Sequence, residues 1–119
     1  MNDKVAVVGG RDFTDKTNMF FILDIYVEKH GISQIISGGA KGADTLAKSY
    51  AESRGIPFLE FPAEWDKYGK SAGYIRNEDI VRASDVVIAF PTKNSKGTWD
   101  TVAKADKHYK KSFVFELGA

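Results

Sequence analysis

Short apolar runs alternate along this chain with longer stretches whose apolar residues recur at helical spacing. Lys4 to Val8 is β-branched and runs into Gly9-Gly10, and Gln34 to Ser37 runs into Gly38-Gly39. Pro57 to Phe61, Asp85 to Phe90 and Ser112 to Leu117 complete five predicted strands. The first and fourth are apolar without alternation, the pattern of strands buried on both faces. A helix is predicted over Asp15 to His30, with Thr14 or Asp15 as its cap and Gly31 as its stop. Ala43, Leu46, Ala47, Tyr50 and Ala51 form one apolar stripe at i, i+3, i+4, i+7 and i+8, closed by Gly55. Ala72 to Ala83 gives a third helix. Thr98 to Lys110 gives a fourth, with Trp99, Val102, Ala103 and Tyr109 expected to point inward.

Strands and helices in strict alternation with short connections imply a mainly parallel five-stranded sheet. Right-handed crossovers then put helices on both faces, in one α/β domain over residues 1–119. The one long connection, Pro62 to Ser71, carries Trp65, Asp66 and Tyr68. It reads either as a lid over a site or as a loop whose Trp65 plugs a gap between helix and sheet.

Composition narrows the chemistry. The 119 residues include no Cys and two His, with 17 Lys plus Arg against 16 Asp plus Glu. Disulfides, thiolate metal sites and cysteine nucleophiles are excluded, and no metal site is expected. The net charge of +1 gives no bulk attraction to nucleic acid or anionic membrane. The first apolar segment is too short to span a bilayer, so a cytoplasmic setting without membrane contact is expected. His30 and His108 fall in last helical turns, where they favour the helix dipole, and are read as capping or surface residues.

Ligands of open α/β sheets bind beyond the carboxyl ends of the strands, and three Gly-rich turns are predicted there. The first holds Gly9, Gly10 and Arg11. The second holds Ser37, Gly38, Gly39, Lys41, Gly42 and Asp44. The third holds Lys96, Gly97 and Thr98. Glycine lets a backbone approach a ligand closely, and the helix that starts near Gly42 offers free amides and a positive dipole end to an anion. The second turn is neither a P-loop nor G-x-G-x-x-G, because Lys41 precedes Gly42 and no Lys-Ser or Lys-Thr pair opens the helix. Thr98 serves either this anion or its own helix as N-cap. Arg76, beside Asn77, suits a bidentate phosphate clamp or a surface salt bridge. Asp44 either orders its loop or bonds a ribose hydroxyl.

Five stretches resemble one family in order: Val-Val-Gly-Gly-Arg-Asp-Phe at 7–13, Ser-Gly-Gly-Ala-Lys-Gly-Ala-Asp at 37–44, Pro-Ala-Glu-Trp-Asp-Lys-Tyr-Gly at 62–69, Ala-Gly-Tyr-Ile-Arg-Asn at 72–77 and Lys-Gly-Thr-Trp-Asp at 96–100. They are similar to the SLOG superfamily of LOG phosphoribohydrolases and DprA, and within it to the small YspA-like (cpYpsA-related) family of bacteria and phages. The resemblance implies a Rossmann-like three-layer α/β/α sandwich. It also implies a nucleotide or nucleotide-derived ligand held by the Gly-rich turns, with no required cofactor. Trp65 or Tyr68 would then cover base or ribose, and the domain would act as a sensor or binding module.

Two alternatives follow from the same resemblance. LOG-like hydrolysis of nucleoside monophosphates would use Arg76 with Asp100 or Glu78. LOG enzymes place a Glu three residues after the Thr of their Gly-Thr motif, where this chain has Thr101, and a shift of one helical position turns a side chain by about 100°. DprA-like binding of single-stranded nucleic acid needs a basic groove with stacking aromatics. The lysines of the C-terminal fifth read instead as a solvated helix face. The apolar excess of the first helix, Met19 through Val27, predicts a homodimer through that helix.

Overall fold

The computed structural model describes residues 2–117. Its elements are β1 (Asp3–Gly9), α1 (Lys16–His30), β2 (Ile32–Ser37), α2 (Ala43–Arg54), β3 (Phe58–Glu60), α3 (Trp65–Tyr68), a 3₁₀ turn (Gly69–Ser71), α4 (Ala72–Ala83), β4 (Val86–Phe90), α5 (Lys96–Lys107) and β5 (Lys111–Val114). The five strands form one sheet in the order β3-β2-β1-β4-β5, with every pair parallel. The chain winds outward from β1 to β3, then returns to β4 on the other side of β1. The strand order therefore switches direction between β1 and β4, and a crevice opens beyond their carboxyl ends.

Period-two alternation sorts the central strands between two cores. Val5, Val7, Val86, Ile88 and Phe90 join Met19 and Leu23 of α1 and Ala47, Tyr50 and Ala51 of α2. Ala6, Val8, Val87 and Ala89 join Ile80 and Val81 of α4 and Ala105 of α5. The result is the expected three-layer α/β/α sandwich. No helix among the described residues is long and apolar enough to cross a membrane.

Element edges depart from the sequence pattern where pairing or capping decides. β2 begins at Ile32, because Ile32 pairs with Asp3 of β1. β5 ends at Val114, and Phe115 and Leu117 pack on the core beyond the ladder. Asp15 caps α1, accepting a hydrogen bond from the Asn18 amide. α5 starts at Lys96 after Ser95, so Thr98 lies within the helix and is not its N-cap.

The inward face of α5 is corrected as well. It carries Thr98, Thr101 and Ala105, while Trp99, Ala103 and Tyr109 face outward and Val102 is half-buried. The sheet opposite offers Ala6 and Ala89, so the helix lies close and only small side chains fit. Thr101 is tolerated there because its hydroxyl donates to Gly97 O (3.0 Å). Tyr109 is 98% exposed and adopts φ 58° just past the helix end, a left-handed terminator in place of glycine.

The connection at 62–71 is not an open loop. It contains α3 and the 3₁₀ turn, with no buried residue in either. Trp65 is 52% exposed and does not plug a gap in the core.

Candidate functional site

A cleft of two adjoining lobes lies at the carboxyl ends of β1 and β4. The larger, about 490 Å³, is bounded by Gly9, Gly10 and Arg11 of the first turn, by Trp65, Lys70, Tyr74, Arg76 and Asn77, and by the segment from Lys93 to Thr98. The smaller, about 370 Å³, is bounded by Gly38, Gly39 and Lys41 of the second turn and by Pro62 and Ala63. Arg11, Ala40, Trp65 and Arg76 line both lobes.

Three interlocks set the walls. Gly42 adopts φ 72°, and a Cβ there would stand 2.4 Å from the carbonyl oxygens of Gly10 and Arg11. The Ala43 amide donates to Gly10 O (3.2 Å). The mouth of α2 is thus packed against the first turn, and Gly42 allows that close approach. Thr92 Oγ1 donates to Asp12, and the Ser95 hydroxyl bonds the Thr92 backbone, joining the first and third turns.

Arg76 and Asn77 form the third interlock. Arg76 Nη1 donates to Gly38 O (2.8 Å) and its Nε to Asn77 Oδ1 (3.1 Å). Asn77 Nδ2 donates to Gly97 O and to Asp100 Oδ2, both at 3.1 Å. One dipeptide of α4 therefore ties the second turn to the start of α5. A side chain at Gly38 would displace the guanidinium of Arg76 from this position.

At α5, the Thr98 and Trp99 amides both donate to Ser95 O. The Lys96 and Gly97 amides precede them and have no partner within the helix, and both residues line the larger lobe. The expected anion-binding amides thus fall at the third turn more than at the second.

Charge is concentrated here. Arg11, Lys70, Arg76, Lys93 and Lys96 surround the larger lobe, and Lys41 lines the smaller. The one carboxylate in the lining, Asp44, is only 7% exposed. Ser37 Oγ and the Ala40 amide reach it at 2.8 and 3.0 Å, so Asp44 and the buried Ser37 order their own turn. Burial pushes the Asp44 pKa up against those bonds and the nearby Arg76. Burial also lowers that of Arg76, against the pull of Asp44.

Other expected site residues stand apart. Tyr68 lines neither lobe. Glu78 bonds Arg82 Nε (2.9 Å) and His108 Nε2 (2.7 Å) and lines neither lobe. His108 therefore clasps α5 to α4, while His30 packs its ring 4.7 Å from that of Tyr26. Asp100 is occupied by Asn77 and Lys104 behind the cleft wall. The sequence reading omitted Tyr74, Lys70 and Lys93 from the site. Tyr74 lies inside the 72–77 motif two residues before Arg76, and that position was the available signal. Among the described residues no group of three or more His, Asp or Glu side chains comes together to hold a metal ion.

A family model described as the YspA, cpYpsA-related SLOG family matches residues 3–68, more than half of the chain. The chain belongs to that family. This SLOG domain is 33% identical over 112 residues to the Gene 61 protein of Mycobacterium phage D29, covering 87% of this chain and 89% of the phage protein. Two solved structures share the fold. DNA processing protein A (DprA) from Streptococcus pneumoniae superposes with a TM-score of 0.76 at 22% identity, over 95% of this chain and 50% of its own. The Helicobacter pylori protein, described by its single-stranded DNA binding mode, gives 0.74 at 21% identity, over 97% and 66%. The SLOG domain thus spans half to two thirds of the DprA chains it matches.

Proposed function

We propose that this SLOG domain binds a phosphorylated nucleotide or nucleotide-derived ligand across the carboxyl ends of β1 and β4, as a binding or sensing module. The carrying observation is the meeting, in one lobe, of five cations, the free amides of Lys96 and Gly97, and two exposed aromatic rings, Trp65 and Tyr74. Phosphate sits against Lys96, Gly97 and Lys93, and the base stacks on Trp65 or Tyr74. Family membership supports a nucleotide- or nucleic-acid-binding module.

Binding is favoured over hydrolysis by where the carboxylates lie. Cleavage of an N-glycosidic bond needs a carboxylate against the developing positive charge, much as glycoside hydrolysis does. Glu78 and Asp100 are engaged elsewhere, and Asp44 is buried in its own turn. Incubation with nucleoside monophosphates is expected to release no free base above buffer by chromatography, and release would overturn the binding-only reading.

Calorimetric titration with adenosine 5′-monophosphate tests the binding itself. Lys96→Ala should weaken it about tenfold, as expected for one charge-assisted hydrogen bond. Trp65→Ala should remove a stacking contribution of about 1–3 kcal/mol. Both side chains are exposed, so both variants keep the fold. Unchanged affinity in both, or no binding by the parent across a nucleotide panel, would sink the reading.

Single-stranded nucleic acid is the second reading, favoured by the continuation of the cationic cleft past Trp65 into the lobe with Lys41. It predicts an affinity for oligonucleotides that falls steeply and log-linearly with salt.

A further inference from the structure

We propose that the cleft is built for a ligand carrying two phosphate groups separated by a nucleoside, with Lys41 reading the second phosphate. This rests on the nucleotide-binding reading above and adds the length and charge of the ligand.

The cations fall at the two ends of the cleft and at the junction between its lobes. Lys70, Lys93 and Lys96 line only the larger lobe, with Lys96 at the start of α5. Lys41 lines only the smaller lobe. Arg11 and Arg76 line both and stand at the junction. Arg76 is held there by Gly38 O and Asn77 Oδ1, which fixes its guanidinium without neutralising it. A phosphate on Lys96 and Gly97 therefore leaves a second anion site open at the junction, flanked by Lys41. Trp65 lies between the two sites, lining both lobes, with a ring for the nucleoside that separates the phosphates.

The smaller lobe is more than a notch for one charge. Its 370 Å³ is within the range of about 300–1,000 Å³ usual for small-molecule sites. Pro62 and Ala63 give it a small apolar wall. A second nucleoside, esterified to the second phosphate, fits that space; a nucleoside bisphosphate supplies the same two charges and leaves it empty. A mononucleotide satisfies one cation group and leaves the other unpaired.

The test compares adenosine 5′-monophosphate, adenosine 3′,5′-bisphosphate and the 5′-phosphorylated dinucleotide pApA, by calorimetry at one salt concentration. The parent should bind at least one of the two-phosphate ligands about tenfold more tightly than the monophosphate, as one added charge-assisted hydrogen bond supplies. A dinucleotide stronger than the bisphosphate identifies the second nucleoside as the occupant of the smaller lobe; equal strength identifies the second phosphate alone. In Lys41→Ala the advantage of two phosphates should shrink to about twofold or less, whereas Lys96→Ala should weaken all three ligands together. Equal affinity for all three ligands, or an undiminished advantage in Lys41→Ala, would overturn this inference and leave nucleotide binding standing. Failure of the parent to bind any of them would overturn both.

Discussion

Burial and hydrogen bonding pull in opposite directions on the carboxyl group beside Ser37. Ser37 Oγ lies 2.6 Å from Val7 O and 2.8 Å from Asp44 Oδ1. A serine hydroxyl has one hydrogen, and a carbonyl only accepts. That hydrogen is shared between the carbonyl and the carboxyl oxygen, and Asp44 Oδ2 accepts from the Ala40 amide at 3.0 Å. Burial dominates, raising the pKa of Asp44 above 3.8; the Ser37 hydroxyl, the Ala40 amide and Arg76 oppose it. With the folded value above the unfolded one, the folded state takes up the proton first as pH falls. The group's contribution to stability is then full below the unfolded value and is lost as pH rises through the raised folded value. Asp44→Asn copies the neutral acid, donating from Nδ2 to Ser37 and accepting from the Ala40 amide. Urea unfolding should place this variant within about 1 kcal/mol of the parent at neutral pH. The parent should then gain on the variant as pH drops toward 3.8. Asp24, whose pKa is lowered chiefly by its bond to Arg54, pulls the absolute stability the other way, and it cancels in the comparison. A parent that loses ground to the variant on acidification would refute a raised Asp44.

The start of α5 joins stability to binding. Gly97 lies in its first turn, and an added Cβ would meet only Asn77 Nδ2, at 3.9 Å. Gly97→Ala should therefore stabilise the helix, by up to about 1 kcal/mol and a few degrees in Tm. The same methyl group projects beside the amides proposed to hold phosphate, so nucleotide affinity should fall as thermal stability rises. A variant that gains both would place the phosphate elsewhere. The five strands were legible in the sequence because continuous apolar runs have few other uses, and the α2 stripe because its inward residues are apolar. The α5 register was not, since its buried face is written in Thr98 and Thr101, whose hydroxyls look solvent-facing until the alanine-lined sheet opposite is known. The three Gly-rich turns were visible as a candidate site. That Gly10 O occupies the first amide of α2, and that Asn77 holds α5 to α4, depended on contacts between segments 33 and 20 residues apart, which no local pattern encodes.

A net charge of +1 conceals two unlike surfaces. Basic residues gather at the cleft, while α1 is apolar on nearly every side. Met19 and Leu23 face the core, Phe20, Ile22 and Tyr26 are half-buried, and Phe21 is 63% exposed beside Ile25 one turn on. A helix apolar all round is normally covered on all sides. The exposed row continues toward β5: the Tyr26 ring stands 6.4 Å from that of Phe113, and Phe113 and Val114 are exposed on the sheet edge. An uncovered edge strand beside an apolar helix invites association. A two-fold contact of this patch with its own copy covers both at once, provided it buries the roughly 1,200–2,000 Å² usual for a stable interface. Light scattering at micromolar concentration should therefore give twice the 13.2 kDa chain mass. Phe21→Lys should return the mass to one chain. Because residue 21 is not part of the core, the variant monomer should keep its circular dichroism spectrum. A parent that runs as a single chain at that concentration, or a Phe21→Lys dimer as firm as the parent's, would rule out association through α1.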